Sequence, residues 1–122
     1  MASIEKLLNL VKKNFEEDEK VINLVEGAFE KYIDGKNTLR VGIIIATNKK
    51  LRFCGKRFFT VYYDTINYED IYNVELSEEK LGYRIFIKGK RESSFLKFVE
   101  GKDVKGFVKY VNDNKGKKKK EK

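Results

Sequence analysis

The stretch GIIIATNKKLRFCGKR, residues 42–57, decides the architecture of this chain. An apolar run ends at the polar pair Asn48-Lys49, and a shorter alternating run follows it before Gly55-Lys56. Asparagine tolerates the positive φ that a tight turn requires, and glycine adopts it readily. The stretch therefore predicts a β-hairpin with its turn at Asn48-Lys49, followed by a second turn at Gly55-Lys56.

Alternation with a period of two extends outward from this hairpin. On its upstream strand, one predicted face carries Leu39, Val41, Ile43 and Ile45. Downstream, the same period recurs in short segments near residues 58–63, 72–76, 83–87 and 94–99. Several short strands at regular spacing are typical of a small antiparallel barrel or sandwich.

Helical periodicity appears near both ends of the chain. Ser3 is suited to cap a helix whose apolar stripe is Ile4, Leu7, Leu8, Val11 and Phe15. Asp103 is suited to cap a second helix whose stripe is Val104, Phe107, Val108 and Val111. We therefore expect a mainly β domain that is capped by its C-terminal helix.

Residues 21–33 are ambiguous on pattern alone. Apolar residues recur there at i, i+3, i+4, i+7, i+8 and i+11, which favours a helix. Gly27 opposes it, because glycine costs about 1 kcal/mol in a helix interior. The segment is also rich in β-branched and aromatic residues, which favour strands. Periodicity by itself favours the helix.

Length and composition indicate one globular domain. The chain has 122 residues, of which 41% are hydrophobic and 13% aromatic, enough to bury a core. No apolar run approaches the length of a membrane span, and the N-terminus lacks the pattern of a signal peptide. The single cysteine, Cys54, cannot form an internal disulfide, which is typical of a reducing compartment. We expect a cytoplasmic protein, with peripheral association at the inner membrane face as an extension of that expectation.

The net charge of +8 is unevenly distributed. The last eight residues, KGKKKKEK, hold six lysines and one glutamate and therefore carry five of these charges. Blocks of like charge are typically disordered, so residues 114–122 are expected to form a disordered lysine-rich tail. Such a tail either binds anionic membranes or nucleic acid nonspecifically, or simply keeps the chain soluble. Its candidate contact residues are Lys117, Lys118, Lys119 and Lys120.

The residue types argue against an enzyme. Histidine, the commonest general base and metal ligand near neutral pH, is absent. One cysteine without histidine cannot build a zinc site of the usual Cys/His types, and no GxxxxGK[ST] loop occurs. The acidic residues between positions 64 and 79 match no EF-hand spacing and are typical of a solvated rim. We therefore expect a non-enzymatic protein without a metal or cofactor.

A set of short motifs follows in order along residues 18–112. They are Ala46-Thr47-Asn48 after the apolar run, Leu51-Arg52-Phe53, Gly55-Lys56, Tyr68-Glu69-Asp70-Ile71, Val74-Glu75, the Leu81-Gly82 turn before Ile85 and Ile87, and Phe107-Val108 in the last helix. This ordered set resembles the bacterial pleckstrin-homology-like (PH-like) domain family, of the YokE-like kind. The family pattern usually has arginine directly before the leucine of the third strand, whereas this chain has Lys50.

The resemblance implies a seven-stranded, strongly bent antiparallel barrel capped by a C-terminal helix. It makes residues 21–33 the first strand, against their periodicity, and residues 34–37 the turn that follows. The barrel domain is then expected to span residues 18–113. Residues 1–17 are expected to form an added amphipathic helix that packs on the barrel.

Positive charge is concentrated around the two predicted hairpins. The candidate binding residues are Lys36, Arg40, Lys49, Lys50, Arg52, Lys56 and Arg57. The turns at Asn48-Lys49 and Gly55-Lys56 are expected at opposite ends of a short strand. We therefore expect the positive charges of residues 49–57 to be divided between these two turns and not to form one patch. Ordinary edge and turn lysines that keep strands soluble are the alternative interpretation.

These observations favour a non-enzymatic binding module whose partner is another protein or an anionic membrane surface. Self-association through an exposed strand edge is a further expectation. An exposed aromatic surface for a protein partner is indicated by Tyr62, Tyr63, Tyr68 and Tyr72. The alternative function is nucleic-acid binding through the lysine tail and the charges of residues 49–57, with an affinity that falls steeply with salt.

Overall fold

Seven antiparallel strands form one bent sheet, with a helix near each end of the chain. The computed structural model describes residues 3–33 and 35–118. Its elements are α1 (Ile4–Lys12), β1 (Val21–Ile33), β2 (Lys36–Thr47), β3 (Lys50–Arg57), β4 (Thr60–Asn67), β5 (Ile71–Glu79), β6 (Gly82–Gly89), β7 (Ser93–Glu100) and α2 (Val104–Asn114). One 3₁₀ turn, Tyr68–Asp70, joins β4 to β5.

The strand order is β4-β3-β2-β1-β7-β6-β5, so β4 and β5 form the two edges and the sheet is bent but not closed. Lys31 on β1 forms ion pairs with both β4 and the segment before β7. Its Nζ lies 3.4 Å from Asp64 Oδ2 on β4 and 3.0 Å from Glu92 Oε2 before β7. The seven-stranded bent architecture with two helices confirms the fold expected from the sequence.

Residues 21–33 form a strand, as the family resemblance implied and against their periodicity. Both faces of this strand are covered over part of its length. Val25 and Phe29 lie in the main core, whereas Leu24 packs against the cluster beneath α1. Apolar residues are therefore needed on both faces, and the resulting spacing imitates that of a helix.

The sheet separates two hydrophobic clusters. The main core lies on the inner face, where Ile44 and Ala46 of β2 pack together with the apolar stripe of α2. The second cluster lies on the outer face, where Leu7 of α1 packs with Ile43 and Ile45. The C-terminal half of β2 is thus buried on both sides, which explains its unbroken apolar run.

Both helices begin at the predicted caps. The Ser3 hydroxyl accepts a hydrogen bond from the Lys6 backbone N–H at 3.2 Å, and Asp103 Oδ1 accepts one from Gly106 N–H at 2.9 Å. Such caps satisfy backbone donors that have no partner within the helix. No helix within the described residues is long and apolar enough to cross a lipid bilayer.

The second turn lies later in the chain than the sequence predicted. Gly55 and Lys56 lie inside β3, and Phe58-Phe59 forms the turn into β4. The glycine is required by close strand packing rather than by a turn, because a Cβ at Gly55 would lie only 2.5 Å from the Val41 carbonyl oxygen. Its partner across the strands is also a glycine, Gly42, so β2 and β3 approach each other closely here.

Candidate binding surface

The structure buries one of the predicted binding residues. The Arg52 side chain is almost inaccessible and binds Glu19, which precedes β1, in a two-point contact. Arg52 Nε donates to Glu19 Oε2 at 2.7 Å, and Nη2 donates to Oε1 at 2.8 Å. Thr47 Oγ1 donates to Oε2 at 2.7 Å, and the backbone N–H of Glu16 donates to Oε1 at 2.9 Å. Arg52 therefore anchors the segment before β1 to β3.

Electrostatics agree with this geometry. Burial acts to raise the pKa of Glu19, but the hydrogen bonds from Arg52, the Glu16 backbone and Thr47 outweigh it and hold the pKa below its ordinary value. Glu19 is thus charged in the folded chain at neutral pH. A charge-assisted, bidentate pair of this kind is geometrically specific.

Lysines from two distant segments come together beside the β2–β3 turn. Lys49 and Lys50 line a cavity of about 560 Å³ together with Lys117 and Lys118. The start of the tail is held there because Gly116 N–H donates to the Tyr68 carbonyl oxygen at 2.7 Å. Lys119 and Lys120, also predicted as contact residues, lie outside the described residues.

The charge of this cavity is partly neutralised. Lys50 Nζ lies 2.9 Å from Glu16 Oε2, and Glu69 contributes a carboxylate to the cavity wall. The C-terminal residue of α2, Asn114, also lines the cavity, and a helix C-terminus carries partial negative charge. These lysines therefore complement nearby negative charge, which reduces the field available to an anionic ligand.

Three other predicted cations, Arg40, Lys56 and Arg57, line a separate groove of about 700 Å³, which we call the outer groove. Its apolar walls are formed by Ile4, Leu7, Ala28, Leu39, Val41 and Phe98. Its charged rim is formed by Glu26, Glu100, Arg40, Lys56 and Arg57. The group at residues 49–57 is therefore divided between the cavity and the groove, whereas Lys36 is exposed at the start of β2 and lines neither.

Two phenylalanines at the β3–β4 turn are the most exposed large apolar residues of the described chain. Phe58 is 83% exposed and Phe59 is 99% exposed. Phe58 has a φ of 56°, a conformation that bulky residues rarely adopt. Two-residue hairpin turns favour glycine or asparagine at such a position. We call Phe58-Phe59 the aromatic tip. Alternation alone placed both residues in a strand, because no glycine or asparagine marks the turn.

Two arginines contact aromatic rings at the aromatic tip and on the adjoining strand β4. The Arg57 guanidinium lies 5.7 Å from the centre of the Phe58 ring, and the Arg40 guanidinium lies 4.1 Å from the centre of the Tyr62 ring. Both distances are within the range of cation–π contacts. Lys56 precedes Arg57 on β3, so the tip combines apolar surface with positive charge.

The expected surface of four tyrosines is not formed. Tyr68 is buried, and its hydroxyl donates to the Thr47 carbonyl oxygen at 2.6 Å. The pKa of Tyr68 is raised, chiefly by burial. Tyr63 and Tyr72 are exposed on strands β4 and β5, at opposite edges of the sheet. The described residues also contain no group of three acidic or cysteine side chains placed to hold a metal ion.

The bent seven-stranded sheet with its C-terminal helix defines a PH-like domain, a fold that generally serves as an interaction module. A family model described as the bacterial PH domain matches residues 15–113, so the chain belongs to that family. This result confirms the family indicated by the ordered sequence motifs.

Two solved structures show the same fold at low sequence identity. One is the C-terminal domain of an unknown protein from Leishmania infantum, with a TM-score of 0.62, 16% identity, and coverage of 92% of this chain and 97% of that chain. The other is the Vps36 N-terminal PH domain, with a TM-score of 0.61, 18% identity, and coverage of 82% and 81%. No curated protein sequence matches the chain.

Proposed function

We propose that this chain is a non-enzymatic binding module that docks on an anionic membrane surface through its aromatic tip. The observation that carries the proposal is the exposure of Phe58 and Phe59 on a turn whose backbone disfavours phenylalanine. Stability alone would favour glycine at Phe58. A residue that violates the local rule for a turn is expected where function requires it.

The energetics suit a membrane interface. Burying a phenylalanine side chain in an apolar environment is worth about 1.5–3 kcal/mol. Each lysine or arginine close to an anionic bilayer adds about 1 kcal/mol. Stable attachment generally needs two such signals, and the tip offers both because Lys56 and Arg57 directly precede Phe58.

Nucleic-acid binding has weaker support from the same residues. Arg52 is held by Glu19, and Lys50 is paired with Glu16. Among the described residues, the other predicted cations are divided between the cavity and the outer groove, so they do not form one continuous basic track of the kind that follows a phosphate backbone.

Vesicle binding tests the proposal. The full chain should sediment with phosphatidylserine-containing vesicles and much less with neutral phosphatidylcholine vesicles. Replacing both tip residues, Phe58→Ser with Phe59→Ser, should weaken binding by about tenfold or more, given their apolar area. The matched control is Leu81→Ser, which changes an exposed apolar residue at the β5–β6 turn and should leave binding unchanged.

Removal of residues 115–122 distinguishes the contribution of the aromatic tip to vesicle binding from that of the lysine-rich tail. We expect the shortened chain to bind anionic vesicles more weakly but still to lose affinity when Phe58 and Phe59 are replaced. Binding that disappears with the tail and ignores the tip substitutions would contradict the proposal.

A further inference from the structure

We propose that the outer groove receives an amphipathic α-helix from a protein partner, with a basic residue of that helix placed over Glu26 and Glu100. The inference rests on the apolar residues and the two glutamates of the groove and does not depend on membrane docking, although the groove shares Lys56 and Arg57 with the surface around the aromatic tip.

The outer face of the sheet is only partly covered. Helix α1 covers β2 and β3, where Ile43, Ile45 and Cys54 are buried. Farther along the same face, Leu39, Val41 and Phe98 remain 51%, 55% and 56% exposed. Apolar sheet faces in proteins are buried against helices or other sheets. A second helix packed beside α1, at the usual interaxial distance of about 8–10 Å, would cover these residues.

The backbone of β7 directs an aromatic side chain to this face. Phe98 has a φ of 54°, which is unfavourable for a bulky residue. The pairing of β7 shifts register on both sides nearby, against β1 between Glu26 and Ala28 and against β6 between Tyr83 and Ile85. Bulges of this kind redirect side chains, and here Phe98 forms one wall of the groove instead of entering the core.

Two carboxylates indicate the charge of the occupant. Glu26 and Glu100 are direct cross-strand neighbours on β1 and β7, and both are exposed. Within residues 3–33 and 35–118, neither carboxylate has an ion pair or a side-chain hydrogen bond. Like charges directly opposite one another destabilise a sheet, so a lysine or arginine of the partner would relieve this repulsion.

The other part of the rim has the opposite charge. Arg40, Lys56 and Arg57 line the groove on β2 and β3. A partner helix that places a basic residue over the glutamates and an acidic residue over these cations would complement both parts. The positive end of its helix dipole would favour the glutamates, which fixes the direction of the helix. Apolar residues of the partner helix at i, i+3, i+4 and i+7 would pack against the apolar residues of the outer groove, between its two charged parts.

Peptide selection tests the inference. The probe is a phage-displayed library of random peptides long enough for about four helical turns, selected on the full chain. Enriched peptides should show helical apolar spacing and at least one lysine or arginine. Val41→Glu should weaken their binding by about tenfold or more, because it places a charge in the apolar wall of the outer groove. Ile22→Glu is the matched control, since Ile22 lies on the same sheet, is similarly exposed and does not line the groove.

Charge reversal tests the polarity. With Glu26→Lys and Glu100→Lys together, selection should enrich acidic instead of basic peptides. Thermal unfolding confirms that each variant is folded. Failure to enrich peptides that distinguish the wild type from Val41→Glu would overturn the inference. A wild-type dimer in solution that Val41→Glu dissociates would also overturn it, because a second copy would then occupy the groove.

Discussion

The carboxylate of Glu19 and the guanidinium of Arg52 are joined by two parallel hydrogen bonds of 2.7 and 2.8 Å. Glu19 belongs to the segment between α1 and β1, whereas Arg52 lies on the outer face of β3. The pair therefore ties the segment between the N-terminal helix and the first strand to β3, the neighbour of the edge strand β4. A cation that appeared available for binding in the sequence is used to hold the fold together.

Replacing Arg52 should strongly destabilise the fold. Arg52→Ala leaves a buried carboxylate without its partner, which typically costs about 3–5 kcal/mol. Urea unfolding measures this loss. Lys109→Ala is the control, because it breaks the exposed Lys109–Asp113 pair and should change stability by less than about 0.5 kcal/mol. If the two substitutions lowered the free energy of unfolding equally, the buried pair would contribute no more to stability than the exposed pair.

The same pair predicts the acid limb of stability. The pKa of Glu19 is lower in the folded chain than its ordinary value of 4.5, so the unfolded chain binds the proton more tightly. The stabilising contribution is therefore complete above about pH 4.5 and is lost as the pH falls through the folded-state pKa. Unfolding free energies of the wild type and Glu19→Gln, measured from pH 7 downward, should converge. Parallel curves would contradict this assignment.

Close packing of β2 and β3 predicts a severe effect at Gly42. A Cβ there would collide with the backbone carbonyl of Cys54, so Gly42→Ala must separate the strands. Gly35→Ala is the comparison, because Gly35 has open space around it and only a positive φ of 76° to maintain. We expect Gly35→Ala to cost about 1 kcal/mol and Gly42→Ala clearly more, as measured by denaturant unfolding.

The aromatic tip should show a conflict between stability and binding. Phe58→Gly relieves a positive φ in a residue type that avoids it, which should stabilise the domain by up to about 1 kcal/mol. The same change removes an exposed aromatic ring and should weaken binding to anionic vesicles. Thermal unfolding and vesicle sedimentation of one variant measure both effects. A purely structural role for Phe58 would instead lower stability and leave vesicle binding unchanged.

Cys54 offers a probe of local opening. Its side chain is buried beneath α1, and burial raises the pKa of the thiol. Since the thiolate is the reactive form, alkylation should be slow in the native state. Leu7→Ala, which loosens the packing of α1, should accelerate alkylation while the sheet remains folded by circular dichroism. An unchanged rate would mean that α1 does not shield the thiol.

The elements with simple periodicity were predictable from the chain. Ser3 and Asp103 mark the helix starts, and the alternation near Asn48 marks the β2–β3 hairpin. Sequence reasoning was wrong at Gly55, because a glycine required by close strand contact has the same local appearance as one required by a turn. Residues 21–33 needed the family resemblance, because burial on both faces of β1 produced a helical spacing.

The sequence by itself determined the class of fold, because the order of short alternating segments and capped helices depends on local periodicity and on turn and cap chemistry. Only the tertiary structure decided which residues remain available for binding. Arg52 and Tyr68 were withdrawn into buried contacts, while Phe58 and Phe98 were turned outward by positive φ angles. These outcomes depend on contacts between residues far apart in the chain, such as Glu19 with Arg52 and β7 with β1. No local pattern contains that information.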